Sequence, residues 1–367
     1  MQSEHIFDTT PQAQRAKPLS ILYISYPLLA ISEASAGGAE QMLLTLEQEM
    51  ATRGHRTTVA ACAGSKISGR LLATGDAAGS PDAFETRERE HSERILAYLH
   101  QHPNEFDLIH DESGSFFRHA DQCPAPVLAT LHLPRSFYRE EWFCDSPANL
   151  LFNCVSQSQA RTLSDLPNVI SVIQNGIDVD RFTLGREKHN YLLWMGRICE
   201  EKAPHRAIAA ARKAGMLLVI AGQVYPFSYH RQYFEREIRP MLGHKVAFLE
   251  SPPIDQKIEL LRRSRALLLT STADETSSLV AMEAMACGTP VIAVRRGAFP
   301  EIIVDGETGF VVDDIEEVAV AASRVHEIDP ATCRRRAEKE FSAKRMAREY
   351  EKLYQYVLDA NRGRVAA

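Results

Sequence analysis

Short apolar runs alternate with amphipathic stretches along almost the whole chain. Leu19–Ser25, Thr57–Cys62, Asp107–His110, Pro126–Leu131, Leu150–Val155 and Val169–Ile173 form one set of such runs. Tyr191–Met195, Leu217–Ala221, Lys245–Leu249, Ala266–Thr270, Pro290–Val294 and Gly309–Val312 form a second. Runs this short and this rich in Val, Ile and Leu predict strands buried on both faces of a parallel sheet. Between them, Glu40–Arg53, Pro204–Ala214, Ser228–Met241, Gln256–Arg263, Ile315–His326 and Ala343–Ala360 carry helical spacing. Strand–helix alternation of this kind predicts βαβ units and an α/β fold. The rhythm breaks at the turn-rich Asn175-Gly176-Ile177-Asp178 and the polar Gly185–Asn190. The expected organisation is a loose arm over 1–18, one domain over 19–178, a second over 179–345, and a last helix, 346–367, returning to the first domain.

At 367 residues the chain exceeds one ordinary core and suits two. A formal net charge of −6 argues against non-specific binding to nucleic acid, while leaving room for a local basic site for a phosphate. The seven cysteines, Cys62, Cys123, Cys144, Cys154, Cys199, Cys287 and Cys333, include no Cys-x-x-Cys pair. Free thiols in a reducing, cytoplasmic compartment are expected, and no zinc site. The opening stretch is polar and lacks the apolar segment of a secretory signal, and no run approaches a membrane span. Peripheral contact with a membrane through surface residues stays open.

The densest chemistry lies in Thr270-Ser-Thr-Ala-Asp-Glu275-Thr-Ser-Ser-Leu-Val-Ala-Met-Glu283-Ala-Met-Ala-Cys-Gly288-Thr-Pro290. A strand ends near Thr270, and Thr276, Ser277 and Ser278 are all suited to cap a helix that starts near Leu279. Gly288 fits the stop before Pro290 opens the next strand. The start of that helix therefore faces the carboxyl end of a parallel strand, where open α/β sheets bind ligands and where free amides suit a phosphate. Glu275 stands before the helix and Glu283 just over a turn inside it. Each carboxylate can accept two hydroxyl hydrogen bonds, as in ribose recognition. Taken alone, the pair also fits a helix-start acid plus a solvated helix-face acid.

These residues resemble a known pattern. Glu275 to Glu283 with Glu-Ala-Met-Ala-Cys-Gly-Thr-Pro-Val is similar to the E-x7-E region of retaining family-4 glycosyltransferases of GT-B fold (glycosyl transferases group 1). Residues 295–310, Arg-Arg-Gly-Ala-Phe-Pro-Glu-Ile-Ile-Val-Asp-Gly-Glu-Thr-Gly-Phe, and Met195-Gly-Arg197-Ile-Cys-Glu-Glu-Lys202 resemble neighbouring parts of it. So do Gly37-Gly38-Ala39-Glu40, Leu131-His132, Val155-Ser156-Gln157-Ser158 and Asn175-Gly176-Ile177-Asp178, extending the likeness over about residues 19 to 357. The resemblance implies two Rossmann-like domains facing a cleft. It also implies a donor nucleotide-sugar, with uracil as the base and glucose or N-acetylglucosamine as the first sugars to try. Arg197 and Lys202 would hold the donor diphosphate, a role for which a guanidinium and an ammonium just past a strand end are chemically apt. Glu283 would bind the ribose hydroxyls, Glu275 the hydroxyls of the donor sugar, and the amides of Leu279 and Val280 a phosphate, with Ser278 at the sugar's edge. Gly37 and Gly38 would let backbone approach the ligand, and His132 resembles the histidine beside the donor sugar. By themselves Gly37-Gly38 is a turn and His132 a structural strand-end residue.

Two departures stand out. The family often carries Glu-Gly-Phe-Gly-Leu where this chain has Glu275-Thr-Ser-Ser-Leu279, which adds side chains where the sugar would lie. Lys202-Ala203-Pro204 replaces the usual Lys-Gly, and with Pro204 at the first helical position the change reads as structurally harmless. No cofactor or metal is expected: Asp313-Asp314 reads as a helix cap, and neither it nor Asp274 belongs to a converging ligand set. Fixed cations and helix amides can take a metal's place on a leaving diphosphate. The acceptor, a small molecule, a glycan or a lipid-linked sugar, is not encoded in any interpretable motif. The loops Gly64–Glu90 and Arg135–Pro147, with Phe84, Phe137, Tyr138, Trp142 and Phe143, are where it would be chosen. A nucleotide-sugar epimerase and a non-catalytic sugar-nucleotide binder are competing readings of the same scaffold. Incubation of donor without acceptor, and binding without turnover, would separate them.

Overall fold

The computed structural model describes residues 17–33, 37–79, 83–144 and 147–365. Most of the arm expected over 1–18 and parts of the two acceptor loops lie outside the described residues.

The first sheet is built from β1 (Ser20–Ile24), β2 (Arg56–Ala61), β3 (Arg70–Ala73), β4 (Leu108–Asp111), β5 (Val127–Leu131), β6 (Leu150–Cys154) and β7 (Val169–Val172), in the order β3-β2-β1-β4-β5-β6-β7. The second holds β8 (Tyr191–Met195), β9 (Leu217–Gly222), β10 (Val246–Glu250), β11 (Ala266–Leu269), β12 (Val291–Val294) and β13 (Gly309–Val312), in the order β10-β9-β8-β11-β12-β13. Every strand pairing is parallel. The central strands are buried on both faces, as in Ser-Ile-Leu-Tyr-Ile of β1 and Val-Ile-Ala-Val of β12. That burial is why they read as continuous apolar runs without alternation.

The helices are α1 (Gly38–Thr52), α2 (Phe84–Gln101), α3 (Gln157–Thr162), α4 (Pro204–Lys213), α5 (Ser228–Tyr233), α6 (Ile254–Arg263), α7 (Leu279–Ala286), α8 (Phe299–Ile302), α9 (Ile315–Arg324), α10 (Pro330–Glu340) and α11 (Ala343–Val365). The stretch 228–241, expected as one helix, is divided: past α5 the coil widens over Phe234–Ile238 and then tightens over Arg239–Met241, where Pro240 supplies no amide. Edge strand β3 and helices α2, α3, α8 and α10 lie outside the elements expected from the sequence. β3 is four half-exposed residues, and α2 carries so many charges that its buried His91, Ser92, Ile95 and Leu99 barely register as a stripe.

One core fills the second sheet and its helices, and two lie on the opposite faces of the first. The chain crosses from the first sheet to the second at Ile177, and returns beside it. Ile177 donates its amide to Phe341 and accepts from Ala343, each at 2.8 Å. Helix α11 starts there and lays Met346, Ala347, Tyr350, Leu353, Tyr354, Val357 and Leu358, at i, i+3 and i+4 spacing, into the core of the first sheet.

In both sheets the strand order reverses at one place, between β1 and β4 and between β8 and β11. A crevice opens outside the carboxyl ends of such strands. Gly37-Gly38, Glu112 and His132 follow β1, β4 and β5. Arg197 and the Thr270–Ser278 stretch follow β8 and β11.

Candidate active site

Arg197 follows Gly196, whose carbonyl lies so close to Gly222 that a Cβ there would sit 1.8 Å from the oxygen. This tight pairing of the ends of β8 and β9 fixes the backbone that carries Arg197. The guanidinium lies 5.7 Å from the ring centroid of Tyr225 and makes no ion pair among the described residues. An arginine held against an aromatic ring without an acid partner is free to meet an anion bidentately.

Lys202 and Glu275 are paired with each other. The ammonium donates to both carboxylate oxygens at 2.7 and 2.6 Å, and the Ser271 hydroxyl donates to Oε1 at 2.5 Å. Backbone contacts hold Glu275 as well: its carbonyl accepts the Ala298 amide at 2.7 Å. Gly297 adopts φ +47°, and any Cβ there would fall 2.1 Å from that carbonyl.

Ser278 caps α7, its hydroxyl accepting the Ala281 amide at 3.3 Å. Leu279 and Val280 occupy the first helical positions, whose amides have no acceptor in the helix. Gly288, at φ +68°, ends the element. Glu283 is 4% exposed, so it is no solvated helix-face acid. Its Oε1 accepts Lys257 Nζ from α6 at 2.6 Å, while Oε2 is buried with no protein partner. A buried carboxylate oxygen left open at a cleft marks a place where a hydroxyl-bearing ligand can be read.

From the first sheet, the His132 ring contacts Glu112 at 2.5 Å, and the other Glu112 oxygen lies 3.1 Å from His110. The two domains meet where the Thr276 hydroxyl donates to the His132 carbonyl at 2.5 Å. They also meet where Glu301 accepts the Gln157 and Ser158 amides at the start of α3, at 2.8 and 2.5 Å. Gly38 sits at the first turn of α1, with a hypothetical Cβ 3.9 Å from Leu279. Gly37, at φ −80°, uses no glycine-only conformation, but a side chain there would collide with the Glu40 carboxyl. Glu40 is buried, which pushes its carboxyl above the usual range despite the Arg197 and His132 charges nearby.

The structure thus brings His132, Gly38 and Thr276 together with the α7 start, and Glu275 with Lys202. Sequence reasoning missed Glu112, Lys257, Ser271 and Glu40 as members of the site. Glu40 lay within a quoted motif, and Glu112 directly follows a strand end. Lys257 had no local signal, because its partner is 26 residues away. Ala203 corrects an expectation. It adopts φ +50°, ψ +52°, so replacing glycine there costs about 1–2 kcal/mol of left-handed strain and is not neutral. Of the loop aromatics, Tyr138 and Phe143 are core residues, Tyr138 packing on Phe143 and Phe143 on Phe117 and Phe152; Phe84 packs on Tyr26, Trp142 lies under Arg118, and Phe137 is 57% exposed. Asp314 caps α9 through the Glu317 amide at 2.9 Å, Asp313 pairs with Arg295, and Asp274 accepts the Gly297 amide.

Two facing Rossmann-like sheets with this cluster between them make the GT-B fold. Residues 177–339 match the family of glycosyl transferases group 1, residues 36–181 match glycosyltransferase family 4, and the chain belongs to these glycosyltransferases. A D-inositol 3-phosphate glycosyltransferase of Mycolicibacterium smegmatis is 30% identical over 216 residues, 53% of this chain and 49% of that one. One from Mycobacterium sp. (strain JLS) is 28% identical over 278 residues, 64% and 62% of the two chains. A glycogen synthase of Mycobacterium tuberculosis is 33% identical over 183 residues, 46% and 42%. The chain therefore spans roughly half of the length of the curated relatives it matches. Among solved structures, sucrose-phosphate synthase from Thermosynechococcus elongatus superposes with TM-score 0.77 at 20% identity, covering 93% of this chain and 100% of that one. The Anabaena protein HepE, solved with UDP-glucose, gives 0.70 at 17% identity, covering 92% and 100%. At these identities the likeness establishes the fold.

Proposed function

We propose that the chain transfers a hexose from a UDP-sugar, UDP-glucose or UDP-N-acetylglucosamine, to an acceptor hydroxyl with retention of configuration. The observation that carries this reading is that an arginine free of acid partners, Arg197, and a buried, half-unpartnered carboxylate, Glu283, both stand on elements that leave the switch point of one sheet. The first suits a diphosphate and the second a ribose. Lys202 and the Leu279 and Val280 amides add to the diphosphate grip, so charge developing on the leaving group meets fixed positive groups and no metal is needed on it. Lys202 then bridges the diphosphate and Glu275, which faces the sugar with Ser278.

In the reaction the bond from the sugar's anomeric carbon to the diphosphate oxygen breaks. The acceptor oxygen bonds to the same face, and its proton passes to the departing phosphate oxygen. Glu275 is an unsuitable covalent nucleophile, because a lysine and a serine already occupy its lone pairs. His132, oriented by Glu112, lines the sugar from the opposite domain. The seven free cysteines are consistent with work in a reducing cytoplasm. The matched relatives make D-inositol 3-phosphate the first small-molecule acceptor to try.

The test is a thermal-shift comparison of UDP, ADP and GDP, followed by transfer assays with NMR of the product's anomeric proton. UDP should stabilise most, by about 2.7 kcal/mol at a hundredfold excess over Kd, and the anomeric configuration should be kept. Arg197→Ala and Lys202→Ala should each lower turnover by at least about 100-fold. An inverted product, or near-normal turnover by both variants, would overturn the assignment.

A further inference from the structure

Beside the donor site lies a cluster that the transfer reaction does not use. Cys199 and Glu201 sit on the loop between Arg197 and Lys202, and His230 comes from α5. One ligand-type atom from each lies within 4.8 Å of the other two. His230 is 0% exposed and neither ring nitrogen has a hydrogen-bond partner. Unpaired buried imidazole nitrogens are costly, and the rings of Tyr225, Phe227 and Tyr229, with centroids 6.0, 5.1 and 4.3 Å away, offer no acceptor in compensation. The Cys199 sulfur is buried, faces the Lys202 amide and contacts the Arg197 carbonyl at 3.6 Å.

We propose that Cys199, Glu201 and His230 bind one divalent transition-metal ion, zinc by preference. Thiolate, imidazole and carboxylate form a donor set typical of that ion, with the fourth position left to water. Ligand atoms around a tetrahedral zinc lie roughly 3.3–3.6 Å apart, so a contraction of about an ångström closes the site. On binding, the Cys199 thiol gives its proton to solvent and the sulfur–metal bond replaces it. A +2 ion with one thiolate, one carboxylate and a neutral imidazole is electrically neutral, so it adds no repulsion beside Arg197. It satisfies one orphaned His230 nitrogen, and it ties the loop carrying Arg197 and Lys202 to α5. No motif announces this site, since residues 199, 201 and 230 show none of the spacings of a zinc motif and meet only through the fold.

The test uses the full chain, stripped with a chelator and titrated with cobalt(II). One equivalent should bind, with a thiolate-to-cobalt charge-transfer band in the near ultraviolet and the strong visible bands of four-coordinate cobalt, and zinc(II) should displace it. Cys199→Ser should abolish the charge-transfer band. His230→Gln and Glu201→Gln should weaken binding by more than the 10–100-fold typical of outer-shell changes. Absence of a stoichiometric band in the wild-type protein would overturn the proposal, and so would a band that survives in Cys199→Ser or unchanged affinity in folded His230→Gln. If His230→Gln does not fold, the wild-type titration and Glu201→Gln decide alone. None of these readouts depends on glycosyl transfer, so the metal site and the proposed reaction fail separately.

Discussion

Replacing Glu283 by Gln probes the ribose site while keeping shape. The carboxylate has one oxygen on Lys257 at 2.6 Å and one buried oxygen without a protein partner. Two ribose hydroxyls donating to an anion are hydrogen bonds of about 1.5–3 kcal/mol each. An amide still accepts one of them but offers N–H to the other, so the net loss is about 2 kcal/mol, or roughly 30-fold in Kd. Stability falls too, because Lys257 loses its counter-charge. Its side chain keeps 19% exposure and reaches solvent, which limits that loss to about 1–2 kcal/mol. Lys257→Met is the informative contrast. It strands the nearly buried carboxylate and should cost about 3 kcal/mol of stability. Calorimetric titration with UDP reads affinity, and thermal unfolding reads stability. A UDP Kd within twofold of wild type in Glu283→Gln would refute the role given to the open oxygen.

Thr276→Val removes the hydroxyl that bridges the cleft to the His132 carbonyl; donor kcat/KM should fall about fivefold, the value of about 1 kcal/mol for one bond, in steady-state kinetics. Glu301→Ala frees two amides at the start of α3 and removes a latch between the domains; the melting temperature should fall by a few degrees and the radius of gyration in X-ray scattering should increase. Burial depresses the pKa of His91 and of His110 to about 4, below the value of about 6.5 for an unfolded histidine. Their neutral forms therefore favour the fold above pH 6.5, and that contribution is lost as pH falls from about 6.5 to about 4. Denaturant titrations should show stability dropping through this window, and His91→Gln should make the drop shallower.

The sheets were legible because most of their strands are buried on both faces and so announce themselves as apolar runs. β8 and β13 begin and end where the pattern places them, and Ser278, Gly288 and Asp314 act as the cap or stop their chemistry implies. β3 and α2 escaped because Arg70–Ala73 is a half-exposed edge and α2 is mostly charged. Within the site, the motif residues could be named from order and spacing, but their partners could not. Glu112 behind His132, Lys257 beside Glu283 and His230 beside Cys199 are contacts between distant segments that only the fold creates. Ala203 shows the opposite failure. Pro204 was correctly placed at the helix start, yet the left-handed backbone one residue earlier leaves no mark in composition.

The central claim, that the cationic end of the second sheet grips a diphosphate while Glu283 holds the ribose, is tested most directly by a crystal structure with UDP. The expected map shows phosphate oxygens within hydrogen-bond distance of Arg197 and Lys202 and both ribose hydroxyls on Glu283. UDP bound elsewhere, with that cleft empty, would contradict it.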